Sequence, residues 1–157
     1  MRFFETEQDR SREAQVAKQI APILGVNLIR TKPMCCVDYM VQDAEGTATG
    51  LLEVRTRTYT AEKLQDLGGI FLSVSKLAAI YKVAKNLDMD FYYVVKTTNC
   101  LLHLCFKSGT KWPELERTIG GRADKRYEQD VGPVYLFPTT LFTRIDDEPA
   151  PLPTGSP

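Results

Sequence analysis

The order of local patterns predicts a mixed α/β or α+β domain, a central sheet flanked by helices. Three observations carry that expectation. Ala14, Ala17, Ile20, Ala21 and Leu24 recur at helical spacing near the N-terminus. Two pairs of apolar, β-branched or aromatic runs are each joined by a short polar turn. Between those pairs lies one longer stripe at helical spacing, Val74, Leu77, Ile80, Tyr81, Ala84 and Leu87.

Taken in order, the first helix runs from Asp9 or Ser11, either of which suits an N-cap, to Leu24, and Gly25 ends it. Asn27 to Thr31 is a short strand, broken by Lys32-Pro33. A hairpin follows: Cys35 to Val41, a turn at Asp43-Ala44-Glu45-Gly46-Thr47, and a return run from Leu51 to Thr58. Tyr59 to Gly69 is a polar connection with a helical turn at Ala61 to Leu67, and its Gly68-Gly69 pair suggests a movable loop. Ile70 to Leu72 leads into a helix from Ser73 to Asn86. Phe91 to Thr97 and Leu101 to Lys107 form a second hairpin around Thr98-Asn99. Trp112-Pro113 and Gly120-Gly121-Arg122 read as irregular, and Val134 to Phe137 as a final strand stopped by Pro138. Leu141, Phe142 and Ile145 are expected to fold back on the core. The domain is therefore expected to span residues 1–145, with the acidic, Pro-rich residues 146–157 a disordered tail.

At 157 residues the chain can bury a core without disulfides or a structural metal. Its 43% hydrophobic and 25% charged residues are those of a globular protein, and neither a membrane-spanning run nor a signal peptide is visible, so a cytoplasmic protein is expected. The 20 basic and 20 acidic residues cancel, which gives no bulk electrostatic argument for nucleic acid. The charge is unevenly placed, however. Asp146, Asp147 and Glu148 fall in the tail, and Lys107 to Arg126 holds six basic residues, Lys107, Lys111, Arg117, Arg122, Lys125 and Arg126, against three acidic ones. That is either a footprint for a phosphate backbone or a solvated face. Cys35, Cys36, Cys100 and Cys105 contain no CxxC pair and read as buried reduced thiols, with Cys35 and Cys36 on opposite faces of a strand. His103, flanked by leucines in a short strand, reads as structural.

The hairpin carries the chemistry. Strand alternation puts Leu51, Glu53, Arg55 and Arg57 on one face. If Gln42 pairs near Ala48, Asp38 falls opposite Leu52 or Glu53, bringing carboxylates on neighbouring strands within roughly 5–8 Å at Cβ. Two acids that close repel unless a cation or proton lies between them. A divalent ion with oxygen ligands, such as Mg²⁺, would meet that need. The plainer account is a salt-bridge ladder of Glu53 with Arg55 or Arg57.

An acid-bearing helix, an Asp at a strand, a turn and then Glu-x-basic on the next strand resembles the PD-(D/E)XK nuclease superfamily, especially its small phage-type and Holliday-resolvase-like members. The resemblance covers roughly Glu13 to Phe106, with Glu-Val-Arg-Thr-Arg and the Ser-Val-Ser-Lys helix start as its best parts. It implies a restriction-endonuclease-like core and a Mg²⁺- or Mn²⁺-dependent endonuclease acting on DNA, duplex or branched, in recombination, repair or host-DNA degradation. Asp38 and Glu53 would be metal ligands, aided by the carbonyl near Val54, with Glu13 a helix-borne helper. A viral member would work in the host cytoplasm. Resolvase-like relatives often act as dimers, so a homodimer is one expectation.

The sequence departs from the family pattern at Arg55, where Lys is usual. Lys is a compact donor able to orient a water, whereas Arg is a planar, permanently charged fork suited to phosphate. Lys76, at the start of the next helix, is placed to supply the missing amine; Lys76 or Arg55 would assist at the water or the phosphate, and Arg57 would help hold the nucleic-acid backbone. Two other readings stand beside the nuclease. One is a non-cleaving PD-(D/E)XK-fold module that binds nucleic acid or protein. The other is an assembly protein whose hairpin acids are simply paired with arginines. Glu13 too has a plain role, as a carboxylate near a helix N-terminus.

Overall fold

The computed structural model describes residues 7–32, 35–121 and 131–146. Its centre is a six-stranded sheet in the order β1-β2-β3-β5-β6-β9, formed by β1 (Asn27–Arg30), β2 (Tyr39–Gln42), β3 (Ala48–Thr56), β5 (Asp90–Lys96), β6 (Cys100–Phe106) and β9 (Thr143–Asp146). Neighbours are antiparallel except β3 and β5, which run parallel. A parallel pair cannot be joined by a tight turn. The crossover here holds α2 (Ala61–Asp66), β4 (Ile70–Ser73) and α3 (Val74–Leu87). β4 joins β8 (Val131–Phe137) and β7 (Glu116–Gly121) in a separate three-stranded sheet ordered β4-β8-β7.

Strand alternation divides the core into two layers. Leu52 and Val54 of β3 join Tyr39, Val41, Val94 and Leu101 against Val16, Ala17 and Ile20 of α1 (Glu7–Leu24). Leu51 of β3 joins Phe91, Tyr93 and Val95 against Leu77, Ile80 and Ala84 of α3 and Ile70, Leu72 and Phe137 of the smaller sheet. The two faces of β3 are thus covered by different helices. Glu53 and Arg55 belong by alternation to the α3 face.

The β2–β3 register is the one the turn predicts, with Gln42 paired to Ala48. A bulge between Val41 and Gln42 absorbs Thr49 and leaves Tyr39 opposite Leu52. Asp43 shapes the turn, its Oδ1 accepting from the amides of Glu45 and Thr47 at 2.9 Å each. At the start of α3 the Ser73 Oγ accepts from the Lys76 amide at 3.1 Å, an N-cap that fixes Lys76 in the first turn.

Several expectations are corrected. α1 begins at Glu7, so Asp9 and Ser11 lie inside it and Glu13 sits beyond its first turn. Cys35 and Cys36 are in a bend, not a strand, and of the four free thiols Cys100 is buried while Cys35 is exposed. Tyr81 and Leu87 stand 42% and 58% exposed, so the buried stripe of α3 is narrower than its spacing suggests. Gly120 and Gly121 are in β7 rather than a loop, and β8 begins at Val131. After a 3₁₀ turn at Thr139–Leu141, residues Thr143–Asp146 form an unforeseen sixth strand, so Asp146 is paired to Cys100 and not part of a tail. Phe142 is buried as expected, whereas Leu141 is 37% exposed. Pro33 and residues 147–157 lie outside the described residues.

The Gly68-Gly69 pair makes a packed turn. Gly69 has φ 114°, and a Cβ there would lie 2.5 Å from the Phe137 carbonyl oxygen. Gly109 also has positive φ, 77°, but faces open space. Both Gly→Ala changes should destabilise the protein, and the penalty of Gly69→Ala, well above about 1 kcal/mol, should exceed that of Gly109→Ala in urea unfolding. Equal midpoints for the two variants would show that the Gly69 turn can relax.

Candidate functional site

One residue beyond the Tyr39–Leu52 pair, Asp38 lies across from Glu53, and both acids are fully buried at 0% exposure. Asp38 is held by its own backbone. Its carbonyl accepts from the Thr31 amide at 2.9 Å, and Thr31 Oγ1 adds contacts to the carbonyls of Val37 and Asp38 at 2.5 and 3.0 Å. The Asp38 side chain then accepts from the Val54 amide through Oδ2 at 2.9 Å. A carboxylate that takes a backbone amide of the neighbouring strand cannot swing away cheaply.

Two cations meet the acids. Arg55 Nη2 is 2.5 Å from Glu53 Oε2 and Nη1 is 3.8 Å from Asp38 Oδ2, so one guanidinium spans both carboxylates. Its Nη1 also donates to the Val54 carbonyl at 3.0 Å. Lys76 Nζ reaches the same Glu53 Oε2 at 2.6 Å, from a side chain only 7% exposed. Burial pushes the Glu53 carboxyl above the usual glutamate range; Arg55 and Lys76 pull against that rise, and Asp38 adds to it. Burial is the strongest single influence and works against the Arg55 charge, but Glu53, Tyr93, Asp38 and Glu13 together outweigh it and hold the guanidinium above its ordinary value.

Arg57 continues the same face past the end of β3. Its guanidinium lies 5.1 Å from the centre of the Phe71 ring and donates to the Thr56 carbonyl at 3.0 Å. Burial lowers its pKa, and the like charge of Arg55 adds to that. The Phe71 carbonyl in turn accepts from the Tyr93 hydroxyl at 3.0 Å. On the α1 side, Glu13 is 7% exposed and forms an ion pair with Arg30 at 3.2 Å. Arg30 covers the Tyr39 ring at 5.2 Å and donates to its hydroxyl at 3.1 Å.

The structure therefore brings Asp38, Glu53, Val54, Arg55 and Lys76 into one cluster and sets Arg57 at its rim. Lys107 and Lys111 are elsewhere. Lys107 pairs with Asp90 at 3.4 Å, and Asp90 is aligned with Gly50 at the end of β3 opposite to Arg57. Lys111 is exposed in the segment after β6, and Arg122, Lys125 and Arg126 lie outside the described residues. Two clefts of about 470 and 430 Å³ also lie away from the acids. Arg30, Tyr39 and Thr31 were missed by sequence reasoning. Arg30 faces Tyr39 only through the β1–β2 register, which no turn signal announced.

The donor set is one of oxygens alone. Glu53 Oε1 is buried with no hydrogen-bond partner among the described residues. Together with the Asp38 carboxylate and the Val54 carbonyl it belongs to a set of hard oxygens that suits Mg²⁺ or Mn²⁺. Among the described residues no group of three or more His, Cys, Asp and Glu side chains could hold a metal, so any ion here would rest on two carboxylates, a backbone oxygen and water.

A mixed sheet with one acid just before β2, a second on the adjacent strand β3 and a basic residue two positions further along β3 fits the restriction-endonuclease-like, PD-(D/E)XK class. A family model described as "Phage putative PDDEXK endonuclease" matches residues 2–145, and the chain belongs to this family of phage nucleases. No curated protein matches the chain. Among solved structures, Hjc, a Holliday junction resolvase from the archaeal hyperthermophile Archaeoglobus fulgidus, is similar at 16% identity and a TM-score of 0.45, over 59% of this chain and 69% of that one. Among the described residues no helix is long and apolar enough to cross a membrane.

Asp38 has a structural part, its bond to the Val54 amide, and substitution isolates it. Asp38→Ala strands the buried Val54 amide and should cost about 1–3 kcal/mol in chemical denaturation. Asp38→Asn keeps an acceptor for that amide and should lose clearly less. If Ala and Asn are equally stable, the Asp38–Val54 bond is not what orders this end of the hairpin.

Proposed function

We propose that the protein is a Mg²⁺- or Mn²⁺-dependent endonuclease that hydrolyses phosphodiester bonds in DNA, duplex or branched. The observation that supports this most is the convergence of the Asp38 carboxylate, the Glu53 carboxylate and the Val54 carbonyl on a single cationic group in a buried setting. These oxygens would hold the ion, which when bound supplies a water of lowered pKa and charge stabilisation at the phosphate.

The chain's own groups do the rest. Lys76, fixed by the capped start of α3 and directed at Glu53, takes the part of the family's lysine and orients the attacking water. Arg57, braced by Phe71, holds a phosphate beside the scissile one. Glu13, held in place by its ion pair with Arg30, adds a minor favourable field at Arg55. In this reading the protein works in the host cytoplasm, on DNA met in recombination, repair or host-DNA degradation, and a homodimer would present two such sites to a branched substrate.

A second reading, a module of the same fold that binds without cutting, is favoured by one observation: Arg55 already closes on both acids. The two part on supercoiled, linear and branched DNA. Salt-sensitive binding with no cleavage under Mg²⁺ or Mn²⁺ selects the module.

For the nuclease, Asp38→Asn and Glu53→Gln should each reduce metal-dependent cleavage more than ~100-fold while the folded state persists. Lys76→Ala should lower the rate about 10²–10⁴-fold, the range of a lost proton-handling group. Wild-type rates in the two acid variants would remove the site assignment. Arg57→Ala should weaken binding to all DNA sequences alike and flatten the salt dependence by about one unit of log–log slope; an unchanged slope would take Arg57 off the DNA.

A further inference from the structure

The metal reading above assigns three donor groups, the Asp38 and Glu53 carboxylates and the Val54 carbonyl, and a single side chain already touches all three. Arg55 contacts Glu53 Oε2 at 2.5 Å, the Val54 carbonyl at 3.0 Å and Asp38 Oδ2 at 3.8 Å. Its guanidinium stands on the donor set as a built-in cation. With Lys76 on Glu53 as well, two carboxylates are balanced by two positive charges inside the protein.

That balance constrains how the site can load. Uptake of a divalent ion with both side chains in place would gather four positive charges around two negative ones. Like charges at such separations repel strongly, since a protein's interior screens them far less than water does. One side chain must therefore withdraw. Lys76 is 7% exposed and anchored in the first turn of a capped helix, whereas Arg55 is 23% exposed and lies one residue from the end of β3. Arg55 also has somewhere to go, since its planar fork matches a phosphate.

Resting on the metal reading, we propose that Arg55 is the site's exchangeable counter-ion: it neutralises Asp38 and Glu53 until a divalent cation is taken up, then turns outward to a DNA phosphate. Arg55 is on this account a positioning residue whose exchange couples the two ligands. DNA, by offering Arg55 an alternative partner, strengthens metal uptake, and by reciprocity the metal strengthens DNA binding by the same factor. The Arg in the usual Lys position is then a device against loading without substrate.

The experiment measures Mn²⁺ binding to the full chain by electron paramagnetic resonance of the free ion, with and without a duplex carrying non-hydrolysable linkages. Wild type, Arg55→Gln and, as a background for Mn²⁺ held by the DNA itself, Asp38→Asn are compared. Wild type should bind Mn²⁺ weakly alone and at least about 5-fold more tightly with DNA. Arg55→Gln should bind it about 10-fold more tightly than wild type without DNA and lose most of the DNA effect. An Arg55→Gln affinity equal to or weaker than that of wild type, with the DNA effect intact, overturns the exchange while leaving the metal site standing. No uptake above the Asp38→Asn background by either protein overturns the metal reading and the exchange with it. Should Arg55→Gln fail to fold, the wild-type arm still decides: DNA and Mn²⁺ must strengthen each other by equal factors, and independent binding overturns the proposal.

Discussion

Two carboxylates held at zero exposure, one in the bend that enters β2 and one on the adjacent β3, are the constraint around which this molecule is arranged. An ionised group taken out of water must be repaid by opposite charge and by hydrogen bonds, or it gives up its charge. Each neighbouring element contributes to that repayment. β3 sends Arg55 from two residues along the same face, α3 sends Lys76 from its first turn, and the β3 backbone gives Asp38 the Val54 amide. The apolar layer around the acids, Leu51, Tyr93 and Val95 beneath α3, keeps the cluster dry and its interactions strong.

Much of this was legible because it follows from short-range rules. The Asp-Ala-Glu-Gly-Thr turn sets the hairpin register, and strand period two then puts Glu53 and Arg55 on one face. Ser73 three residues before Lys76 announces a cap, which places the amine at the helix start. What escaped notice depends on partners far away in the chain. β4 is four residues long and exists by pairing with β8, and β9 exists by pairing with β6. No local pattern of Ile70–Ser73 or Thr143–Asp146 distinguishes an edge strand from a linker. The residues expected to meet nucleic acid are likewise spread by long-range pairing: the parallel β3–β5 pair carries Lys107 and Arg57 to opposite ends of the sheet.

The charges on β3 are also not equivalent, though the sequence writes them as one alternating row. Arg55 points into the acid pair and is held there by Glu53, while Arg57 passes the end of the strand and lies on the Phe71 ring. Burial lowers the pKa of the second and Glu53 raises that of the first. A guanidinium that stacks on an aromatic ring and gives one N–H to its neighbour's carbonyl keeps other N–H groups for an anion. The division of work between the two arginines is thus set by where the strand stops.

The same reasoning bears on why a lysine from a helix and an arginine from a strand would share what the family usually assigns to one strand lysine. Here Lys76 keeps its contact with Glu53 from a buried, capped position, so it need not move between the two states. Arg55, more exposed and closer to the strand's end, can take the neutralising task alone. On the proposed function, separating the tasks would let the acid pair stay compensated in the folded protein without holding the Lys76 amine away from the water.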